Sequence, residues 1–200
     1  MPKEHLRYYF LLLGLLDAVA LLAAFFYSLK ALDIYFSYFT VLSNILITSI
    51  FLYFGLGNRH SGLTRINPLV LKLYGPAVLY MSITGTIFWT VLRHNHAIQT
   101  IPWINLTLHG IMPIAAIVGW LLFSPKKKLA WKDALIWQIP PLLFVFYTLL
   151  HGPVVHWYPY PFLNPNIVGG YSGVALWVAG IITGSVLLSL LLIHISNSKK

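Results

Sequence analysis

The chain has no cysteine and only four acidic residues in 200. Without thiols there is no disulfide, no thiolate nucleophile and no cysteine-held metal. Charged residues of both signs make up 8%, where an ordinary soluble domain carries roughly 25%. So little charge cannot cover a water-facing surface, and the composition excludes an ordinary soluble globule. Also missing are the period-two alternation of barrel strands, an internal repeat, a low-complexity tract and any shift in composition that would mark a domain boundary. One domain over 1–200 is expected.

What is present is apolar side chain, 58% of the residues, and it is gathered into six long runs. They cover Tyr8–Leu29, Phe36–Leu56, Leu69–Leu92, Trp103–Phe123, Asp133–Leu150 and Tyr171–Ile195. Each is close to the ~20 residues that carry a helix across about 30 Å of hydrocarbon. The first run lacks a small-residue cleavage site, so it reads as a retained helix and not as a signal peptide. The expected fold class is all-α: an integral membrane protein built as a six-transmembrane-helix bundle.

The net charge of +9 would suggest nucleic acid in a soluble protein. Here the basic residues lie between apolar runs and act as topology signals. Eleven fall on one side: Lys3, Arg7, Arg59, Arg65, Lys72, Lys126, Lys127, Lys128, Lys132, Lys199 and Lys200. Only Lys30 and Arg93 fall on the other. By the positive-inside rule both termini are expected in the cytoplasm. The last outer loop, His151–Tyr171, holds four prolines and no charged residue. Proline fixes φ, and Trp103, Trp157, Tyr158 and Tyr160 suit the headgroup level. A semi-rigid cap over the outer end of the bundle is expected. Pro140 and Pro141 are expected to kink the fifth helix.

Polar side chains inside apolar runs are unfavourable in lipid and face the bundle interior. Ser37, Thr40, Asn44 and Thr48 follow helical spacing in the second run, with Ser43 beside them. Ser82, Thr86, Thr90 and Arg93 do so in the third. Asn105 and His109 are four apart in the fourth, and Tyr147 and His151 in the fifth. Most of the hydroxyls read as contacts between helices. Asp17, near the middle of the first helix, needs a proton, a hydroxyl or an amide.

Depth singles out two residues. At 1.5 Å per residue, Thr40 lies about 6 Å below the outer boundary near Phe36, and His109 about 9 Å below that near Trp103. Arg93 and His151 sit at the upper edge of the same slab. A Thr hydroxyl becomes a nucleophile when a base takes its proton, and neutral imidazole can do so at pH 7 and return the proton to a leaving alcohol. Ser43, Asn44 or Arg93 could donate to an oxyanion. Asn105 and His151 are further candidates for positioning substrate.

Three segments, YFSYFTVLSN (Tyr35–Asn44), IPWINLTLHGIMP (Ile101–Pro113) and HGPVVHWYPYPFL (His151–Leu163), resemble the androgen-induced membrane protein family, which includes the androgen-dependent TFPI-regulating proteins. The chain looks like a bacterial relative. The resemblance implies a multi-pass hydrolase of fatty acid esters of hydroxy fatty acids, with a Thr nucleophile and a His partner. Thr40, after Tyr38 and Phe39, matches the family's Thr. Trp103, Asn105, His109 and Pro113 match the surroundings of its His, and Tyr160–Leu163 its YPFL run.

The expected function is hydrolysis of a lipid ester drawn from the bilayer, in a bacterial cytoplasmic membrane. Neither a metal nor a cofactor is expected, and no nucleic-acid partner. The oligomeric state is open. The alternatives are an acyltransferase with the same acyl-Thr chemistry, a small-solute transporter, a haem bundle ligated by His109 and His151, or a scaffold without chemistry. Transport would favour an inverted repeat or paired broken helices, and the sequence has neither.

Overall fold

The computed structural model describes residues 4–27, 32–57, 67–94, 101–124 and 128–199. Of the topology signals, Lys3, Lys30, Arg59, Arg65, Lys126, Lys127 and Lys200 lie outside the described residues. Six helices are long and apolar enough to cross a membrane: α1 (Glu4–Tyr27), α2 (Phe39–Leu56), α3 (Pro68–Leu92), α4 (Pro102–Leu122), α5 (Asp133–Val155) and α6 (Gly170–Ser198). No strand occurs among the described residues. These are the six apolar runs of the sequence, with shifted ends.

Two of those shifts have a physical cause. The second apolar run breaks at Ser37 and Tyr38. A short helix, Leu32–Phe36, closes when Ser37 Oγ donates back to the Asp33 carbonyl at 2.7 Å. Tyr38 is then extended, and α2 starts afresh at Phe39. Thr40 therefore sits in the first turn of a helix, not one turn inside it. In α5 the helix is interrupted by a turn at Trp137 and Gln138, just before the proline pair: Trp137 N–H still reaches the Asp133 carbonyl at 2.9 Å, but Gln138 N–H bonds Leu135, three residues back, at 3.1 Å. Pro140 stands at the start of the segment Ile139–Val155, where its missing N–H is no loss. The prolines open a new helical segment there, so the fifth helix is interrupted beside the pair.

α1 packs chiefly along α2, and α3 lies between α2, α4 and α6. The α1–α2 seam is close because Gly55 faces the backbone of Leu11: a Cβ built on Gly55 would stand 2.7 Å from the Leu11 Cα. The half of the bundle that holds the termini is filled by Phe10, Phe51, Phe54, Tyr74, Met112 and Trp120. Polar tips in this core reach backbone carbonyls. Tyr9 donates to Ala115 at 2.7 Å and the Trp120 indole to Leu192 at 3.0 Å, tying α1 to α4 and α4 to α6.

Asp17 is fully buried. Its Oδ2 accepts from Thr48 Oγ at 2.5 Å, so the hydroxyl partner expected for this carboxyl comes from the next helix. Gln138 anchors the N-terminal part of α5. Its amide donates to the Ala134 carbonyl at 2.7 Å and to Ser189 Oγ at 3.0 Å, while its Oε1 accepts from Ser185. In contrast with this tied end, α5 and α6 each have only 22% of their most apolar window buried, against 67% in α3 and α4. They form the least covered flank of the bundle.

Candidate active site

Two π-helical turns face each other at the end of the bundle away from the termini. Phe88–Leu92 ends α3, and Thr107–Ile111 interrupts α4. The second lies just before Pro113. A proline has no N–H, so the carbonyl four residues earlier, that of His109, has no α-helical donor. Met112 N–H reaches back to Thr107 in the wider π pattern, and the freed His109 carbonyl accepts the Trp89 indole N–H at 2.9 Å. Such π turns are frequent at functional sites. Close approach of α3 to α4 here needs Gly85, whose added Cβ would meet Pro113 at 2.8 Å.

His109 is buried. Its Nδ1 lies 3.2 Å from the Asn105 carbonyl, and its ring stacks on Phe88 with centroids 3.9 Å apart at 20°. Bonding of Nδ1–H to that carbonyl leaves Nε2 as the basic nitrogen of neutral imidazole. His109 also lines a groove of about 440 Å³ on the side of the bundle, with Trp89, Thr86, Gly110 and Pro113. A neighbouring groove of about 570 Å³ continues past Thr86 and Thr90 to Gly180 and Gly184 on α6.

Thr40 stands on a different space. It lines a cavity of about 70 Å³ with Thr84, Phe88, Phe144, Tyr160 and Phe162, and that lining is almost wholly apolar. Its backbone N–H donates to the Tyr160 hydroxyl at 3.3 Å, and its Oγ1 is 3.5 Å from the same oxygen. No hydrogen bond joins Thr40 to His109 among the described residues. Phe88 is the shared wall: its ring stacks on His109 and borders the Thr40 cavity.

Asn44 connects the two sides through the backbone. Its Nδ2 donates to the Thr40 carbonyl at 2.8 Å and to the Leu108 carbonyl at 3.3 Å. Both amide hydrogens are thus engaged. Asn44 acts as a clasp between α2 and the π turn, not as a free donor for an oxyanion. Ser43 Oγ lies 3.0 Å from the Thr40 carbonyl and 2.9 Å from Thr84 Oγ. Arg93 follows the C-terminal end of α3, with its guanidinium carbon 5.7 Å above the Trp89 ring. Asn105 serves His109 through its carbonyl. His151 stacks on Tyr147 at 5.1 Å and is not among the residues lining the Thr40 cavity.

Sequence reasoning missed Thr84, Phe88 and Tyr160 as members of the site. Thr84 lies off the Ser82–Thr86–Thr90 stripe, and Tyr160 is 120 positions from Thr40. The one local signal available was Pro113 four residues after His109, which frees that carbonyl for a donor. Fold and site together define an all-helical bundle with a hydroxyl–imidazole neighbourhood at one end. Comparison with protein-family models, characterised proteins and solved structures finds no match.

Proposed function

We propose that the protein is a membrane-embedded lipid-ester hydrolase in which Thr40 is the nucleophile and His109 the general base. The observation that carries this reading is the position of Thr40: first turn of a helix, on the wall of a narrow apolar cavity, one aromatic ring away from a buried imidazole. Insertion in a bilayer rests on the exposed apolar flank. Leu142, Leu143, Phe146, Leu150 and Val154 of α5 and Leu176 and Leu187 of α6 are all exposed. Contiguous apolar surface of that extent calls for lipid or a partner. The asymmetry of Lys and Arg then puts both termini in the cytoplasm and the site in the outer leaflet.

In the proposed reaction the Phe88 ring turns aside, and Thr40 Oγ1 attacks the ester carbonyl carbon as its proton passes to His109. The tetrahedral oxyanion collapses, the bond to the alcohol oxygen breaks, and the alcohol leaves with the proton from His109. Water then gives a proton to His109 and attacks the acyl-Thr carbonyl. The acid departs, and Thr40 recovers its proton. An alcohol in place of water makes the same site an acyltransferase. The acyl chain suits the apolar cavity, and the groove beside His109 offers the leaving alcohol a way to the bilayer.

The test is labelling of membranes with a fluorophosphonate ester probe. Labelling should vanish in Thr40→Ala and fall strongly in His109→Ala. Full labelling of Thr40→Ala would remove Thr40 as nucleophile.

A further inference from the structure

We infer that the Tyr160 hydroxyl is a catalytic partner of Thr40, donating to Oγ1 and steadying the charge that develops there as the proton leaves. This rests on Thr40 being the nucleophile. Thr40 belongs to the first turn of α2, whose N–H groups have no carbonyl partner within the helix. The Tyr160 oxygen takes up this donor at 3.3 Å. Because the phenol oxygen accepts from the backbone, its own hydrogen is left to donate, and Thr40 Oγ1 at 3.5 Å is within its reach. That distance is long for a resting hydroxyl pair. Catalytic hydrogen bonds of this kind shorten as charge builds on the acceptor.

The ring is held for this role from several sides. It stacks on Phe162 at 5.2 Å and 3°, meets the edge of Tyr38 at 5.8 Å and leans on Phe144 at 6.1 Å. Phe162 belongs to the short 3₁₀ turn Pro161–Leu163, so the outer cap, Tyr160 and Thr40 form one connected unit. Burial pushes the Tyr160 hydroxyl up to about 12, so it keeps its hydrogen throughout the neutral range. Of the groups that face it, Tyr38 from the α2 side is titratable; Phe144 from α5 and Phe162 from the cap are not.

Tyr160→Phe keeps the ring stack and removes only the oxygen. With the fluorophosphonate probe, the labelling rate of Thr40 should fall about tenfold to hundredfold, the worth of one hydrogen bond to a charged acceptor. The fall should be in the maximal labelling rate, with the probe concentration for half-maximal rate unchanged, because the lost donor acts on charge that develops during attack and not on binding of the probe. Gly55→Ala, which disturbs packing away from the site, should lower the melting temperature without changing the maximal rate. A wild-type maximal rate in Tyr160→Phe would overturn the proposal. So would a loss confined to the half-maximal probe concentration, since that is the mark of a packing role. Labelling that persists in Thr40→Ala, or a wild type that takes no label, would instead overturn the reading of Thr40 on which it stands.

Discussion

Replacing Asn44 by Leu should separate the stability of the bundle from the geometry of its site. The side chain is buried at 0% exposure and Leu is of similar size, so no large cavity is left. Two hydrogen bonds go. The one to the Thr40 carbonyl runs within α2, and that carbonyl lies 3.0 Å from Ser43 Oγ as well. The one to the Leu108 carbonyl joins α2 to α4 at 3.3 Å. Hydrogen bonds between membrane helices average roughly 0.6 kcal/mol and reach about 1.7, so the loss in stability should be about 1 kcal/mol. The loss in activity should be far larger. Asn44 sets the distance from the Thr40 segment to the π turn that carries His109, and a displacement of about 1 Å at a reacting centre can cost about a hundredfold in rate. Thermal unfolding in detergent and the rate of fluorophosphonate labelling, measured on the same sample, give the two quantities. Asn44→Leu with a wild-type labelling rate would refute the clasp. A collapse of the fold would show that the side chain supports the bundle more than the site.

Two further outcomes concern the frame. Gly55→Ala places a methyl 2.7 Å from the Leu11 backbone; the gain in helix propensity of about 1 kcal/mol is outweighed by overpacking of about 1–3 kcal/mol, and the melting temperature in detergent should drop. The natural absence of cysteine allows orientation to be read with single substitutions: Asn166→Cys should react with an impermeant maleimide on intact cells, and Lys128→Cys only after permeabilisation, the reverse pattern overturning the cytoplasmic placement of the termini.

The six long helices were legible because their signal is additive: some 20 apolar residues in a row leave few alternatives. The breaks were not legible, because they depend on single hydrogen bonds. A run from Phe36 to Leu56 reads as one helix until Ser37 bonds Asp33 and frees the first turn at Thr40. The polar stripes placed Asn44, Asn105 and His109 inside the bundle, and they are buried there. Direction within the bundle was beyond them. Spacing cannot tell that Asn44 spends both amide hydrogens on carbonyls, or that Phe88 lies on the imidazole. Gln138, Ser185 and Ser189 escaped notice as a unit because the contact is made between α5 and α6, across about 50 residues.

Pro113 carries a consequence for how such a site could drift. The extra residue of a π turn is an insertion without lengthening of the helix: everything on its N-terminal side is turned by about 100° relative to a regular helix of 3.6 residues per turn. The rotation is locked by a missing hydrogen atom, since the Trp89 indole occupies the carbonyl that an amide at position 113 would otherwise claim. A residue with an N–H at 113 would compete for that carbonyl and invite α4 to rewind. The facing of His109 is thus encoded in Pro113 and Trp89, two residues without acid–base chemistry on the wall of its groove, and a lineage could retire or restore the candidate site by one change at the proline while leaving every polar side chain in place.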